Sequence, residues 1–136
     1  GDWRRELVER LIEHLDGDGS IVVYSSYEKT RLNALAESFP GFASELQSIV
    51  NRLFDLEPFF KTGYVHHQFA GSSSIKKVLP VLVPDLSYSE LAVGNGTVAA
   101  GLYSLMRVGV VSSDQYEARR RELLEYCALD TMAMVR

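Results

Sequence analysis

Tyr126 and Asp130 are the pair of residues in this sequence that is best suited to catalysis or metal binding. They lie four residues apart in the stretch 121–131, which is predicted to form one helix, so both side chains would share one helix face. On that face Asp130 would hold a divalent metal ion, while Tyr126 would position the water that attacks a phosphodiester. An amphipathic helix with a half-buried tyrosine and a solvated aspartate has the same spacing, so the spacing leaves both interpretations open.

Glu28 is a second carboxylate that the sequence offers to a metal ion. It comes soon after a predicted strand, at the carboxyl end where ligands bind in α/β sheets. Two-metal hydrolysis needs several carboxylates that converge from different elements, so a ligand outside the last helix is required. The alternative is a capping box, in which Ser25 is the N-cap and Glu28 lies three residues later. The two roles compete for the same carboxylate oxygens.

A third group of candidates begins the helix that follows the loop 71–74. Its members are Ser74, Lys76 and Lys77. Because the N-terminus of a helix attracts phosphate and lysines add positive charge, we expect these residues to contact a nucleic-acid backbone. A serine-capped surface helix with solvated lysines is the alternative. A zinc site is not expected, because the chain has one cysteine.

The apolar pattern places these candidates in a helix-rich α/β chain. Helical spacing predicts six helices, at 2–15, 25–38, 42–53, 75–79, 97–106 and 114–135, and Pro80 or Pro84 is expected to stop the fourth. A β-branched run predicts a buried parallel strand at 21–24, a second short strand is expected at 54–56, and 64–69 is expected to be extended. We interpret 1–136 as a single domain with two or three short strands, which is few for a complete sheet.

Composition and charge limit the classes of function. The chain has 136 residues, of which 46% are hydrophobic and 24% charged, as expected for one folded domain. The net charge of −4 argues against a broad basic face for nucleic acid but is compatible with a carboxylate-rich metal site. The apolar runs are too short to cross a bilayer, so no membrane partner is expected. The single cysteine, Cys127, is typical of a cytoplasmic protein.

Several stretches of the chain resemble segments of a bacterial family of unknown function, numbered 2779. These stretches are 23–32, 54–56, 71–80 and 124–131, and the resemblance covers nearly the whole chain from about residue 19. That family is in turn similar to the DEDD-type 3′–5′ exonucleases of the ribonuclease H-like fold. Tyr126 and Asp130 match the last exonuclease motif in its tyrosine (DEDDy) form. Glu28 falls where the second motif has aspartate.

The resemblance implies an incomplete ribonuclease H-like domain from a metal-dependent 3′–5′ exonuclease. In such an enzyme Asp130 and Glu28 would hold Mg²⁺ or Mn²⁺, and Tyr126 would orient water against the phosphodiester of DNA or RNA. The first exonuclease motif, Asp-x-Glu on a strand, has no counterpart in this sequence, which begins at Gly1. The chain is therefore expected to be the C-terminal part of such a domain, without its first strands, and to be inactive alone.

Two other interpretations stay open. The glutamate in place of aspartate at Glu28, together with the acidic net charge, is compatible with a non-catalytic nucleic-acid-binding or protein-interaction domain of the same fold. A purely structural helical domain is the other, in which Tyr126 packs in the interior and Glu28 only caps a helix. Because a domain that lacks strands exposes a sheet edge, self-association is also expected.

Overall fold

Residues 2–86 and 88–135 are described in this computed structural model, and most of them are helical. Within this part, the α-helices and β-strands are α1 (Trp3–His14), β1 (Ile21–Val23), α2 (Tyr27–Ser38), α3 (Ala43–Asn51), β2 (Leu53–Asp55), α4 (Ile75–Leu82), α5 (Gly96–Arg107) and α6 (Ser113–Met132). Short helical turns occupy Pro40–Phe42, Phe59–Gly63, His67–Phe69 and Tyr88–Glu90. The expected helix-rich fold with short strands is therefore confirmed.

The chain divides into two compact units, Gly1–Val65 and His66–Arg136. The first unit contains both strands with α1, α2 and α3, and the second contains α4, α5 and α6. Since compactness alone does not establish independent folding, the single-domain interpretation of 1–136 stays a prediction. None of the helices within residues 2–86 and 88–135 has the length and apolar character needed to cross a membrane.

The two strands of the first unit pair in parallel, as the sequence pattern predicts for β1. In the register, Ile21 lies opposite Leu53 and Val23 opposite Asp55. Parallel strands need a long crossover connection, and α2 and α3 supply it here. The carboxyl ends of both strands therefore lie at the same edge of the sheet.

The core of the first unit lies among its three helices. Apolar residues of α3 recur at helical spacing, so one face of this helix is buried against α1 and α2. The buried residues of this core are Val8, Leu32, Leu46, Ile49 and Val50. Val8 and Leu46 are completely buried, and the helices are thereby held on one another by apolar packing.

The junction between β1 and α2 differs from the capping box considered for Ser25 and Glu28. Helix α2 has Ser26 at its N-cap position, without a side-chain cap. The Ser25 N–H, which a capping-box glutamate would accept, instead donates to Asp55 Oδ1 at 2.7 Å. Ser25 has a φ of +82°, a strained value for a residue other than glycine. The bond to Asp55 stabilises this sharp turn, and no capping box forms.

Two further segments bear on the predictions. Helix α4 continues through Pro80 to Leu82 and ends before Pro84, the later of the two prolines expected to stop it. The stretch 64–69, expected to be extended, contains the helical turn His67–Phe69. This turn packs against α4 and buries Phe69, so apolar burial outweighs the local preference for an extended backbone.

Asp55→Ala should destabilise the first unit. Asp55 Oδ1 accepts the backbone N–H groups of both Ser25 and Glu57, at 2.7 and 2.9 Å, and alanine leaves both without this partner. We expect the free energy of unfolding in urea to fall by about 1–3 kcal/mol. Asp55→Asn is the matched control, because the amide oxygen can still accept both bonds. Equal losses in the two variants would contradict this role for the side-chain oxygen.

Candidate functional site

Four polar side chains of the second unit meet in one cluster, which we call the Lys–Tyr–Tyr–Asp cluster. It consists of Lys76, Tyr88, Tyr126 and Asp130. Lys76 comes from the first turn of α4, Tyr88 from the short helical turn Tyr88–Glu90, and the other two from α6. The elements that supply these residues are far apart along the chain, so the cluster exists only because the second unit is folded.

The shortest contact of the cluster joins Tyr88 to Asp130. The Tyr88 hydroxyl donates to Asp130 Oδ1 at 2.6 Å, a short distance typical of a hydrogen bond to a carboxylate. Tyr88 is buried and Asp130 is half-buried. A buried hydroxyl without a hydrogen-bond partner costs free energy, so this bond is maintained in the folded unit. The bond in turn orients the carboxylate. One oxygen of Asp130 is thereby already engaged with the protein.

Lys76 contacts both tyrosines of the cluster. Its Nζ lies 5.4 Å from the ring centre of Tyr88 and 5.2 Å from that of Tyr126, within the range of cation–π attraction. The same nitrogen donates to the Gly94 carbonyl oxygen at 3.0 Å. The rings of Tyr88 and Tyr126 lie 6.2 Å apart at an angle of 55°. The lysine is therefore half-buried and fixed, unlike a freely solvated one.

The turn 94–96 packs against this cluster. A Cβ atom on Gly96 would lie 3.7 Å from the Tyr126 hydroxyl oxygen, and one on Gly94 would lie 3.7 Å from the Tyr88 carbonyl oxygen. Asn95, between them, accepts the Val98 N–H and caps α5. The capped start of α5 thus lies beside the Tyr126 hydroxyl.

Both tyrosines of the cluster are held in their neutral form. Burial raises the pKa of Tyr88 far above its ordinary value, and the hydrogen bond to Asp130 raises this pKa further. Burial also raises the pKa of Tyr126 to about 12, with further contributions from the charge of Asp130 and hydrogen bonding to it. Both phenol groups of the cluster are therefore protonated at neutral pH.

The cluster unites three of the six residues proposed from the sequence. Lys76 was expected at a nucleic-acid backbone, and Tyr126 and Asp130 were expected to be catalytic; all three lie together. Lys77 and Ser74 are exposed near the start of α4, with Ser74 at the N-cap position. Tyr88 was missed, because nothing in the sequence pattern near residue 88 indicates a partner on α6.

Glu28 belongs to the first unit, whereas Tyr126 and Asp130 belong to the second. It is the second residue of α2 and is half-buried, with its Oε2 atom buried. The prediction that Glu28 shares a metal ion with Asp130 stays a prediction.

Tyr24 lies directly after β1, near the acidic residues at the end of β2. Burial is the main reason that its pKa is raised to about 12, and the negative charges of Glu57 and Asp55 also contribute. One oxygen of Asp55 already accepts two backbone N–H groups. The Asp55 carboxylate at this edge of the sheet therefore has a structural role, which the sequence pattern does not indicate.

The described residues do not by themselves form the metal site that an exonuclease would need. No group of three or more His, Cys, Asp or Glu side chains in the described ranges is placed to hold a metal ion. The Lys–Tyr–Tyr–Asp cluster contributes one carboxylate, Asp130, and Tyr88 engages one of its oxygens. Two-metal hydrolysis needs several carboxylates, so these residues alone do not fit that chemistry.

An open apolar groove of about 560 Å³ runs along α6 in the second unit. It is lined by Pro84, Asp85, Leu86, Leu91, Glu125, Ala128, Leu129 and Met132. A surface of this kind can accept a flat apolar group.

Comparisons with known proteins give a family and two bacterial relatives. A family model described as "Domain of unknown function (DUF2779)" matches residues 1–74, more than half of the chain. An uncharacterized protein of Ureaplasma parvum is 28% identical over 98% of this chain. An uncharacterized protein of Mycoplasma pneumoniae is 31% identical over 96% of it. The chain spans 22% of the length of each relative. No solved structure matches the chain.

Tyr88→Phe should lower the free energy of unfolding by about 1.5–3 kcal/mol, the range for a hydrogen bond to a charged group. The substitution removes only the hydroxyl that donates to Asp130 and keeps the ring that contacts Lys76. Tyr116→Phe, at an exposed position of α6, is the matched control and should change stability by less than about 0.5 kcal/mol. Equal effects in urea denaturation would refute the stabilising bond.

Tyr126 should resist ionisation in alkaline solution. Its pKa is raised from 10.0 to about 12, so folding favours the neutral phenol. This stabilisation is complete below pH 10 and is lost as the pH rises to about 12, because the unfolded chain ionises first. Ultraviolet titration of the wild type against Tyr126→Phe should show the extra phenolate appearing near pH 12. Its appearance near pH 10 would disprove the shift.

Proposed function

We propose that this chain, which belongs to the family described as "Domain of unknown function (DUF2779)", is part of a metal-dependent 3′–5′ exonuclease. The substrate class is DNA or RNA, and the reaction is hydrolysis of a phosphodiester bond. The proposal includes a ribonuclease H-like fold, for which the parallel pairing of β1 with β2 and its helical crossover are supporting observations. This chain alone is expected to be inactive.

One observation carries the proposal: Tyr126 and Asp130 lie in a cluster with a cation and a hydrogen-bond donor from other elements. Asp130 is oriented by the Tyr88 hydroxyl, and Tyr126 lies against the start of α5. Lys76 supplies positive charge beside both rings. A solvated surface aspartate would have neither the oriented carboxylate nor the fixed ammonium group. The arrangement is the one expected of groups that bind a phosphodiester and position a nucleophile.

The chain's own residues have distinct roles in this proposal. Lys76 contacts a phosphate oxygen of the nucleic-acid backbone, and Lys77 and Ser74 extend that contact at the start of α4. Tyr126, with its pKa of about 12, stays neutral and orients the attacking water by hydrogen bonding. Tyr88 keeps the Asp130 carboxylate in position.

The cofactor proposed for the complete protein is Mg²⁺ or Mn²⁺, with Asp130 and Glu28 among its ligands. Because the described residues offer no group of three candidate ligands, further carboxylates are needed for hydrolysis. This requirement is the reason for expecting the chain alone to be inactive. We also propose a cytoplasmic location, which the single cysteine supports.

Self-association is a further part of the proposal. Val22 and Phe54 are paired in the sheet register, and both side chains are exposed. A two-stranded sheet with an exposed apolar pair is suited to pairing with a second copy.

Asp130→Ala in the full-length protein is the decisive substitution. With Mn²⁺ and a 5′-labelled single-stranded oligonucleotide, the wild type should shorten the strand from its 3′ end. The variant should be slower by on the order of 100-fold, the loss typical when one group that stabilises the transition state is removed. Asp114→Ala, in the first turn of the same helix, is the matched control and should retain wild-type activity. Undiminished cleavage by Asp130→Ala would rule out this assignment.

A non-catalytic nucleic-acid-binding or protein-interaction domain is the second candidate. The single carboxylate of the cluster and the placement of Lys76 over two aromatic rings favour it. In this case the wild type binds the oligonucleotide but never shortens it at any Mn²⁺ concentration. Lys76→Met then weakens binding, whereas Asp130→Ala does not abolish it.

A further inference from the structure

Arginines and aromatic rings are paired on one surface of the first unit. The Arg4 guanidinium lies 5.6 Å from the ring centre of Phe39, that of Arg5 lies 5.5 Å from Phe42, and that of Arg31 lies 4.9 Å from Tyr27. We call these six residues, together with the neighbouring Trp3, the arginine–aromatic surface. Its members come from α1, from α2, from Phe39 directly after α2 and from the turn Pro40–Phe42.

Two grooves run through this surface. One, of about 390 Å³, lies between α1 and α2 and is lined by Arg4, Arg31 and Tyr27 together with Trp3. The other, of about 360 Å³, is formed by Arg5 and the residues of the turn after α2. Ser38 lines both grooves, so they adjoin one another. We call the two adjoining grooves the track.

The rings in this track are available to a ligand. Trp3 is 55% exposed and Tyr27 is 61% exposed, high values for aromatic side chains of a folded unit. The arginine beside Tyr27 lies against one part of its surface and leaves most of the ring open. Exposed rings interleaved with cations are the elements of sequence-tolerant binding to single-stranded nucleic acid, in which bases stack and phosphates meet arginines.

Local charge favours the same type of ligand. Although the chain has a net charge of −4, neither groove has an aspartate or glutamate among its lining residues in the described ranges. Arg4 is bonded to Asp2 at 2.7 Å and Arg5 to Glu9 at 3.1 Å, and all four side chains are exposed. Exposed ion pairs of this kind contribute little stability, so a phosphate can replace the carboxylates at small cost.

We propose that the arginine–aromatic surface binds single-stranded nucleic acid, with bases stacked on Trp3 and Tyr27 and phosphates held by the three arginines. The choice of ligand rests on the proposed nucleic-acid function, but the surface contains no residue of the Lys–Tyr–Tyr–Asp cluster. It is a binding track for the strand, separate from the residues assigned to hydrolysis. An apolar peptide would not use the arginines, and an acidic peptide would not use the open rings.

Intrinsic fluorescence tests this proposal directly, because Trp3 is the only tryptophan of the 136-residue chain. Titration with a short oligothymidylate should quench the Trp3 emission, and affinity should fall as salt is added. Arg31→Gln should weaken binding and reduce the slope of log affinity against log salt by about 0.7, the value for one phosphate contact on a single strand. Arg10→Gln is the matched control: Arg10 lies on α1 and pairs with Glu6, but lines neither groove.

Several outcomes would overturn the proposal. One is the absence of quenching, and another is equal salt slopes for Arg31→Gln and Arg10→Gln. Polyglutamate that binds as tightly as the oligonucleotide would show a general polyanion surface without base stacking. Sedimentation that reveals a dimer, dispersed by Arg31→Gln, would identify a second copy of the chain as the occupant.

The test also separates this inference from the proposed hydrolysis. Asp130→Ala should quench like the wild type, because Asp130 is not part of the arginine–aromatic surface. Oligonucleotide binding that Arg31→Gln weakens, in a full-length protein that never cleaves, would refute the exonuclease and support the binding track. Cleavage without any effect of Arg31→Gln on affinity would refute the track and support the exonuclease.

Discussion

The hydrogen bond from the Tyr88 hydroxyl to Asp130 is the contact on which the arrangement of the Lys–Tyr–Tyr–Asp cluster depends. It joins a short turn to the last helix at 2.6 Å and satisfies a hydroxyl that is removed from water. Without it, the buried phenol would lack its acceptor and the carboxylate would lose its shortest hydrogen bond. The bond also places the Tyr88 ring beside Lys76, which in turn reaches Tyr126. The orientation of the carboxylate, the burial of Tyr88 and the position of the Lys76 charge are therefore linked through this bond.

A carboxylate has a comparable role in the first unit. Asp55 Oδ1 accepts backbone N–H groups on both sides of the sheet edge and stabilises the strained turn at Ser25. In both units an aspartate oxygen is thus occupied by donors of the protein. An oxygen that accepts such bonds is less available to a metal ion, because hydrogen bonds and coordination compete for the same lone pairs. For the same reason, ligands beyond those described are needed for the proposed hydrolysis.

The two proposed nucleic-acid surfaces hold their positively charged side chains in the same way. The chain is acidic, so long-range attraction to a polyanion is weak, and binding must come from short-range contacts. Lys76 lies against two tyrosine rings, and three arginines lie against three other rings. Each cation is held in place by an aromatic face, which lowers the entropy that the side chain loses when it meets a phosphate.

Much of the local structure and part of the site are predictable from neighbouring residues. Apolar spacing placed the six helices and the parallel strand, because helix and strand periodicity depend on neighbouring residues alone. The burial expected for the strand is only partial, because Val22 is exposed. It also placed Tyr126 and Asp130 on one face of α6. It did not indicate Tyr88 or Asp55, whose partners lie 42 and 30 residues away along the chain.

Which polar groups meet depends on the folded structure. Lys76 was one of three equivalent candidates at the start of α4 until folding buried it against two rings and left Lys77 and Ser74 exposed. The local sequence permits a capping box at Ser25, but Asp55 of the neighbouring strand accepts the N–H group that the capping box would use. Such choices depend on contacts between distant segments, and these contacts leave no periodic signal in a single sequence.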